Sequence, residues 1–512
     1  MTENTYVGAI DQGTTGTRFM LFDHSGSVVA DAYERHEQQY PEPGWVEHDP
    51  DEIWACCQRV IETALDDSDI SASQLAAIGV TNQRETTVLW DAETGAPAYN
   101  AIVWQDRRTT DRVEALIDAG WKPRIRAKTG LEVDAYFSAT KLEWLLENVD
   151  PIAPDRAPSG DVRDRAVRGE VLFGTIDTWL VWNLTGSHVT DVTNASRTML
   201  YNIHDGEWDD ELLAEFDVPH AALPEVRPSS DESYYGTTDP DGFLGAEVPV
   251  AGALGDQQAA LFGQTCFDAG EAKNTYGTGS FFLMNTGETA VESDHGLLTT
   301  VGFQRSGEPI QYALEGSIFA TGAAIEWLAD VGLIDDPAET AELARRVDST
   351  DGVYLVPAFA GLGAPHWDGR ARGTIVGMTR GTRREHLVRA TLESIAYQTR
   401  DVVEAMEADS EIEMHQLRVD GGAVKNNFLC QLQADVIDTE IVRPVVDETT
   451  ALGAAYAAGL AVGYWDGLDD LRENWRVDRA FVPEMDPSVA DHRFSRWRDA
   501  VDRARDWARE EP

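Results

Sequence analysis

The stretch Y-V-G-A-I-D-Q-G-T-T-G-T-R-F-M-L-F-D, from Tyr6 to Asp23, decides how this chain reads. An apolar run ends at Asp11. A turn with Gly13, Gly16 and three threonines follows, and a second apolar run, Phe19 to Phe22, leads to another turn at Asp23 to Gly26. The pattern predicts a β-hairpin whose tip is made of small hydroxyl and glycine residues. Such a tip brings backbone N–H groups and Thr hydroxyls close to a phosphate, because no bulky side chain bars the approach. Asp11 falls where a strand-end carboxylate can hold Mg²⁺. No G-K-[ST] follows the glycines and no helix opens there, so this is not a Walker-A loop. On these residues alone a plain polar hairpin fits as well.

A second hairpin of the same kind follows far downstream, A-K-N-T-Y-G-T-G-S-F-F-L-M-N from Ala272 to Asn285. Between the two sits G-D-Q-Q-A-A-L-F-G, Gly255 to Gly263, with an Asp at the start of an expected helix. Later, in R-V-D-G-G-A-V-K-N-N-F, a strand breaks at Gly421 and Gly422 before a helix, a place where backbone can lie flat against a nucleoside. One phosphate-type hairpin in each half suggests a duplicated architecture closing on a nucleotide from both sides, as in actin-like ATPases and sugar kinases.

Further segments sharpen this. They include P-G-W-V-E-H-D-P at Pro43, T-N-Q-R-E-T-T at Thr81, Y-N-A-I-V-W-Q at Tyr99 and Y-F-S-A-T-K-L-E-W-L-L at Tyr136. F-G-T-I-D-T-W-L at Phe173, T-N-A-S-R-T-M-L at Thr193, G-L-G-A-P-H-W-D at Gly361 and T-L-E-S-I-A-Y-Q-T-R at Thr391 continue the series. In order and number these resemble the FGGY carbohydrate kinase family along most of the chain, and within it the members that act on glycerol. The resemblance implies an α/β fold of two actin-like (ribonuclease H-like) ATPase domains with a cleft between them. The small-residue segment Val248 to Asp256 puts the boundary after residue 254: residues 1–254 for polyol and phosphate, 255–512 for nucleotide.

Composition sets independent bounds. The chain has 512 residues, 42% apolar, enough for two full cores. Its 41 basic and 90 acidic residues give a net charge of −49, and lysine occurs only at Lys122, Lys128, Lys141, Lys273 and Lys425. The acid is scattered rather than gathered in a tail, as on a folded, carboxylate-rich surface. Such a surface repels itself in dilute buffer, but at about 1 M salt the Debye length shrinks to about 3 Å. The charge therefore reads as adaptation to the salt-rich cytoplasm of a halophile, and it disfavours nucleic acid and anionic membranes as partners. Cys56, Cys57, Cys266 and Cys430 show no metal or disulfide spacing and read as buried reduced thiols. The first residues, M-T-E-N-T, lack a signal-peptide pattern. The apolar run Ala451 to Trp465 is too short to span a bilayer and reads as a core helix.

Runs at Leu75–Val80, Thr87–Trp90, Val171–Gly174 and Gln416–Val419 predict strands, and the stripe Val388, Leu392, Ile395, Thr399, Val402 predicts a helix face. The segment 150–169 is expected to be a surface excursion, and R-W-R-D-A-V-D-R-A-R-D-W-A-R-E-E, from Arg496, a solvated terminal helix.

Phosphoryl transfer needs positioned phosphates, a divalent metal and an in-line acceptor whose proton is taken by a carboxylate. Asp256 suits that base, although a helix N-cap is an equal reading of the residue alone. Arg84 and Glu85 pair a donor fork with an acceptor, suited to neighbouring hydroxyls. Without the resemblance a surface ion pair describes them as well. The resemblance implies glycerol held by Arg84, Glu85, Tyr136, Asp256 and Gln257, with Trp104 and Phe281 along its carbon side. It implies ATP phosphates at Thr14, Thr15, Arg18 and Thr278, and a nucleoside at Gly322, Gly422 and Asn426. Mg²⁺ falls to Asp11 with Asp256. Two positions depart from the family pattern: Gly16 stands where many members have Ser, and Glu326 where Gln is common, although both still fall in the nucleotide site. Glu247 and Gly242 replace an effector-binding Arg and a phosphorylated His of some members, so neither control is expected. A homo-oligomer, dimer or tetramer, is implied. The alternatives are a family kinase for another polyol or ketose, and a non-enzymatic actin-like nucleotide switch.

Overall fold

The computed structural model describes residues 5–152 and 161–508, and part of the expected 150–169 excursion lies outside these residues. Tyr6–Gln12 and Gly16–Phe22 pair antiparallel, with Asp11 opposite Arg18. Val28–Arg35 extends the hairpin on one side. Leu75–Asn82 and Pro249–Gly255 add in parallel on the other, with Gly236–Thr237 at the far edge.

A second sheet repeats this plan. Ala272–Tyr276 and Ser280–Gly287 form its hairpin, Gln311–Ile318 extends it, and Gln416–Asp420 and Glu440–Pro444 add in parallel, followed by antiparallel Val477–Phe481. Leu298–Phe303 is an extra strand outside the repeat. The four strands predicted from apolar runs are present as Leu75–Asn82, Thr87–Asp91, Val171–Thr175 and Gln416–Asp420.

Register explains why distant residues meet. Gln12, Asn82 and Gly255 lie side by side at the carboxyl ends of three adjacent parallel strands. The Gly13 turn, Arg84 and Asp256, each just past the end of one of these strands, must therefore emerge at one edge, where open parallel sheets place their ligands.

The Thr449–Ala461 helix is buried all round and, although late in the chain, packs on the first sheet and on the Asp256–Gly263 helix. Its contacts are backbone on backbone. A Cβ on Gly79 would sit 2.1 Å from the Ala454 carbonyl oxygen, and one on Gly453 would sit 1.8 Å from that of Ala259. Only glycine permits such approach.

The long helix Arg384–Ser410 buries the predicted stripe Val388, Leu392, Ile395, Thr399 and Val402. The terminal helix differs from expectation. Pro487–Ala504 is not simply solvated: Ala490, Phe494, Trp497, Ala500, Val501 and Ala504 are buried, and Trp497 stacks on Tyr397 at 5.5 Å. Alternating charge masked an apolar stripe at three- and four-residue spacing. All four cysteines are buried and free. Among the described residues no helix is long and apolar enough to cross a membrane.

Candidate active site

Four buried charged groups form the floor of the cleft. Arg84 donates from Nη1 to Glu315 Oε2 at 2.7 Å and from Nη2 to Glu315 Oε1 at 3.0 Å. Arg197 donates from Nε to Glu85 Oε1 at 2.7 Å and from Nη2 to Glu315 Oε1 at 3.2 Å. All four side chains are almost fully buried, so the surface-pair reading of Arg84 and Glu85 is replaced by a closed network of two arginines and two carboxylates. Burial alone would raise the Glu315 carboxyl, but Arg197 and Arg84 outweigh it and hold it at about 2. Burial prevails at Glu85, which is raised despite Arg197 and Arg84. Glu85 also has φ +60°, a left-handed backbone that a glutamate rarely adopts. Ser138 Oγ and Thr87 Oγ1 donate to its carbonyl at 3.1 Å and help hold it there.

Asp256 is the first residue of its helix, and Gly255 occupies the N-cap, so the capping reading of Asp256 is set aside. Its Oδ1 lies 3.1 Å from Arg84 Nε and accepts the Gln257 N–H at 2.7 Å. Gln257 is buried, with Oε1 held by the Lys273 ammonium, which also donates to Thr275 Oγ1 at 2.9 Å. Burial pushes Lys273 down to about 8, with Asp420 and Asp256 opposing.

Three half-buried rings stand over this floor. Trp104 meets Tyr136 edge-on at 5.5 Å, the Arg197 guanidinium lies 5.9 Å from the Tyr136 ring, and that of Arg84 lies 5.9 Å from Phe281. Trp104 and Phe281 are both only partly buried.

On the first hairpin, Thr14 Oγ1 accepts from Trp104 Nε1 at 3.0 Å, Thr15 is exposed and Gly16 is buried. Arg18 pairs with Glu448, which precedes the Thr449–Ala461 helix. Asp11 is raised to about 7 by burial first and then by the charges of Asp256 and Glu448, with Arg18 opposing. Carboxylates from both halves thus crowd together at this end of the cleft.

On the second hairpin, Thr278 is exposed and its carbonyl accepts the Thr321 and Ala323 N–H groups, while Gly322 donates to the Gly277 carbonyl. The two segments are one unit, and exposed Glu326 lies one turn further along. Of the glycine pair, Gly421 (φ +90°) abuts the Tyr276 carbonyl, whereas a Cβ on Gly422 would meet nothing within 4 Å. Gly422 therefore presents bare backbone to open space. The Asn426 side chain caps the Asn427–Ile437 helix, accepting from Phe428 and Leu429, and donates to Thr340 Oγ1.

Sequence reading missed Arg197, Glu315 and Lys273, and also Gln258, whose Oε1 accepts from Arg84 Nη1 at 3.2 Å. Arg197 lies inside a quoted motif but received no role. Glu315 had a usable signal: a lone carboxylate in the middle of the apolar strand Gln311–Ile318 must find a partner or stay neutral.

The family model for the N-terminal domain of the FGGY family of carbohydrate kinases matches residues 6–263, and that for the C-terminal domain matches residues 272–462. The chain is 76% identical over 511 residues to the glycerol kinase of Haloferax volcanii, covering 100% of both. It is 73% identical over 508 residues to that of Haloarcula marismortui, covering 99% of this chain and 100% of the relative. Among solved structures it is similar to Plasmodium falciparum glycerol kinase with ADP: TM-score 0.91, 39% identity, 98% of each chain. A xylulose kinase from Lactobacillus acidophilus shares the fold at TM-score 0.84 and 22% identity, over 97% of each chain.

Proposed function

The chain belongs to the FGGY family of carbohydrate kinases, and on that premise we infer that it transfers the γ-phosphoryl group of ATP to glycerol, giving sn-glycerol 3-phosphate and ADP. The observation that carries this reading is the full-length identity to the glycerol kinases of Haloferax volcanii and Haloarcula marismortui. The cleft chemistry supports it, because a nucleotide switch needs no polyol-sized floor of buried donors and acceptors.

In this reading Arg84 and Glu85 take the glycerol hydroxyls as donor and acceptor, with Gln257 and Tyr136 completing the set. Trp104 and Phe281 cover the carbon side. Asp256 accepts the proton of the attacked hydroxyl, and Arg84 Nε, at 3.1 Å, fixes the orientation of that carboxylate. The Glu315–Arg197 network holds Arg84 and Glu85 in place before substrate arrives, so little reorganisation is left for the transfer step. Thr14, Thr15, Arg18 and Thr278 take the phosphates, and Gly322, Glu326, Gly422 and Asn426 border the nucleoside. Gly16, between Thr15 and Arg18, belongs to the same nucleotide-binding hairpin.

Asp11 and Asp256 fit Mg²⁺: a carboxylate raised by burial and by its acidic neighbours is relieved by a cation. Mg²⁺ bound there would offset charge on the transferring phosphoryl group. A dimer or tetramer and a cytoplasmic setting belong to the same proposal.

The test is a coupled ADP-release assay in molar KCl with glycerol, xylulose or no acceptor. Glycerol-dependent release well above both controls is expected. Slow release indifferent to glycerol would return the switch reading, and preference for xylulose would return the ketose kinase.

A further inference from the structure

Gly16 lies on the first hairpin without a side chain, and the space beside it is already filled. A Cβ there would sit 2.4 Å from the Glu34 carbonyl oxygen and 2.6 Å from the Tyr33 hydroxyl. The hydroxyl nearest to position 16 is therefore one supplied by the neighbouring strand. Tyr33 lies directly across from Arg18, as Arg18 does from Asp11, so the three side chains share one face of the sheet in a single row. The Tyr33 ring lies 5.5 Å beneath the Arg18 guanidinium, and its hydroxyl is 3.4 Å from Thr15 Oγ1. Tyr33 is 46% exposed, so core packing does not account for its placement.

We propose that Tyr33 is a positioning residue for the phosphate chain, holding the Thr15 hydroxyl and the Arg18 guanidinium at the tip of the first hairpin in place of any side chain at position 16. This rests on the reading of that hairpin as the phosphate site. The row fixes which end of the chain is concerned. Gln12, next to Asp11, and Gly255, next to Asp256, lie side by side with Asn82 at the ends of adjacent strands, so this hairpin faces the end where transfer occurs. Tyr33 thus acts on the terminal phosphate, and its loss weakens ATP more than ADP. The ring contributes a cation–π contact that orients Arg18, and the hydroxyl a hydrogen bond that selects the Thr15 rotamer.

The test is Tyr33→Phe, which keeps the ring and removes the hydroxyl, beside Tyr33→Ala, which removes both. In molar KCl with Mg²⁺, Tyr33→Phe is expected to raise KM and Kd for ATP by about 3- to 10-fold, the range of one lost hydrogen bond. Kd for ADP and KM for glycerol should each stay within twofold, and Tyr33→Ala should exceed Tyr33→Phe. An unchanged ATP affinity in both variants would overturn the proposal. So would an equal rise in the constants for ATP, ADP and glycerol, which marks a structural role. A wild-type protein that bound ATP yet ignored glycerol would remove the substrate assignment and leave the ATP-to-ADP comparison decisive.

Discussion

Arg84 grips Glu315 through two parallel hydrogen bonds, 2.7 and 3.0 Å, and so ties the loop after Leu75–Asn82 in the first sheet to a strand of the second. Bidentate, buried and charge-assisted, this pair is among the stronger polar contacts a protein can make. Breaking it leaves an uncompensated charge.

Glu315→Gln should cost about 3–5 kcal/mol at neutral pH, the range for removing one partner of a buried pair. The pH dependence has a definite sign. Glu315 is held at about 2, below the ordinary 4.5 of a free carboxyl. Its contribution is therefore complete above about 4.5 and lost as pH falls through 2. Denaturant unfolding of wild type and variant at pH 7, 4.5 and 3 should show the gap narrowing at the most acid point. A gap constant across that range would contradict the assignment.

Asp256→Asn keeps the shape of the site and removes the proton acceptor. Turnover should fall by about 10²- to 10⁴-fold with glycerol affinity little changed. Steady-state rates together with a glycerol binding isotherm separate the two, and near wild-type turnover would leave Asp256 with a structural role.

Lys141 is fully buried, and its ammonium donates to the carbonyls of Ala135 at 2.7 Å, Tyr136 at 2.6 Å and Phe137 at 3.0 Å. It fixes the loop that presents the Tyr136 ring. Lys141→Met strands those carbonyls, a loss of about 2–4 kcal/mol of stability. KM for glycerol should rise about tenfold while KM for ATP stays within twofold. Equal effects on both constants would show that the loop does not act on the polyol side alone.

Salt offers the fourth test. With a net charge of −49, lowering KCl from molar to about 0.1 M lengthens the Debye distance from about 3 to about 10 Å, and many more carboxylates repel. The Tm should climb steeply with KCl over this range and activity should return with it. A Tm flat in salt would remove the halophilic reading and leave the kinase assignment standing.

Local signals were legible in the sequence. Both hairpins, the Asp256 helix and the Gly421–Gly422 break depend on a few consecutive residues whose turn chemistry is explicit. The partners of Glu85 and Arg84 were not legible, because Arg197 and Glu315 lie 112 and 231 positions away from them. Glu315 arrives on a strand of the second sheet and Arg197 on the turn after the short helix Val192–Ala195, so only the tertiary fold brings them together. Tyr33 was silent for the same reason: nothing near it in sequence marks a tyrosine opposite Arg18. The terminal helix was misread because its charges outnumber its apolar stripe, although the stripe at Phe494, Trp497 and Val501 decides its packing.

The Thr449–Ala461 helix, contributed by the C-terminal half yet laid backbone-to-backbone on the N-terminal sheet, makes the two halves inseparable as folding units. A fragment ending near Gly263 would expose the groove around Gly79, Gly252 and Gly263, shaped for a helix it no longer carries. Such a fragment should precipitate when expressed alone and be rescued by co-expression of the remainder. The intact chain should melt in one calorimetric transition rather than two.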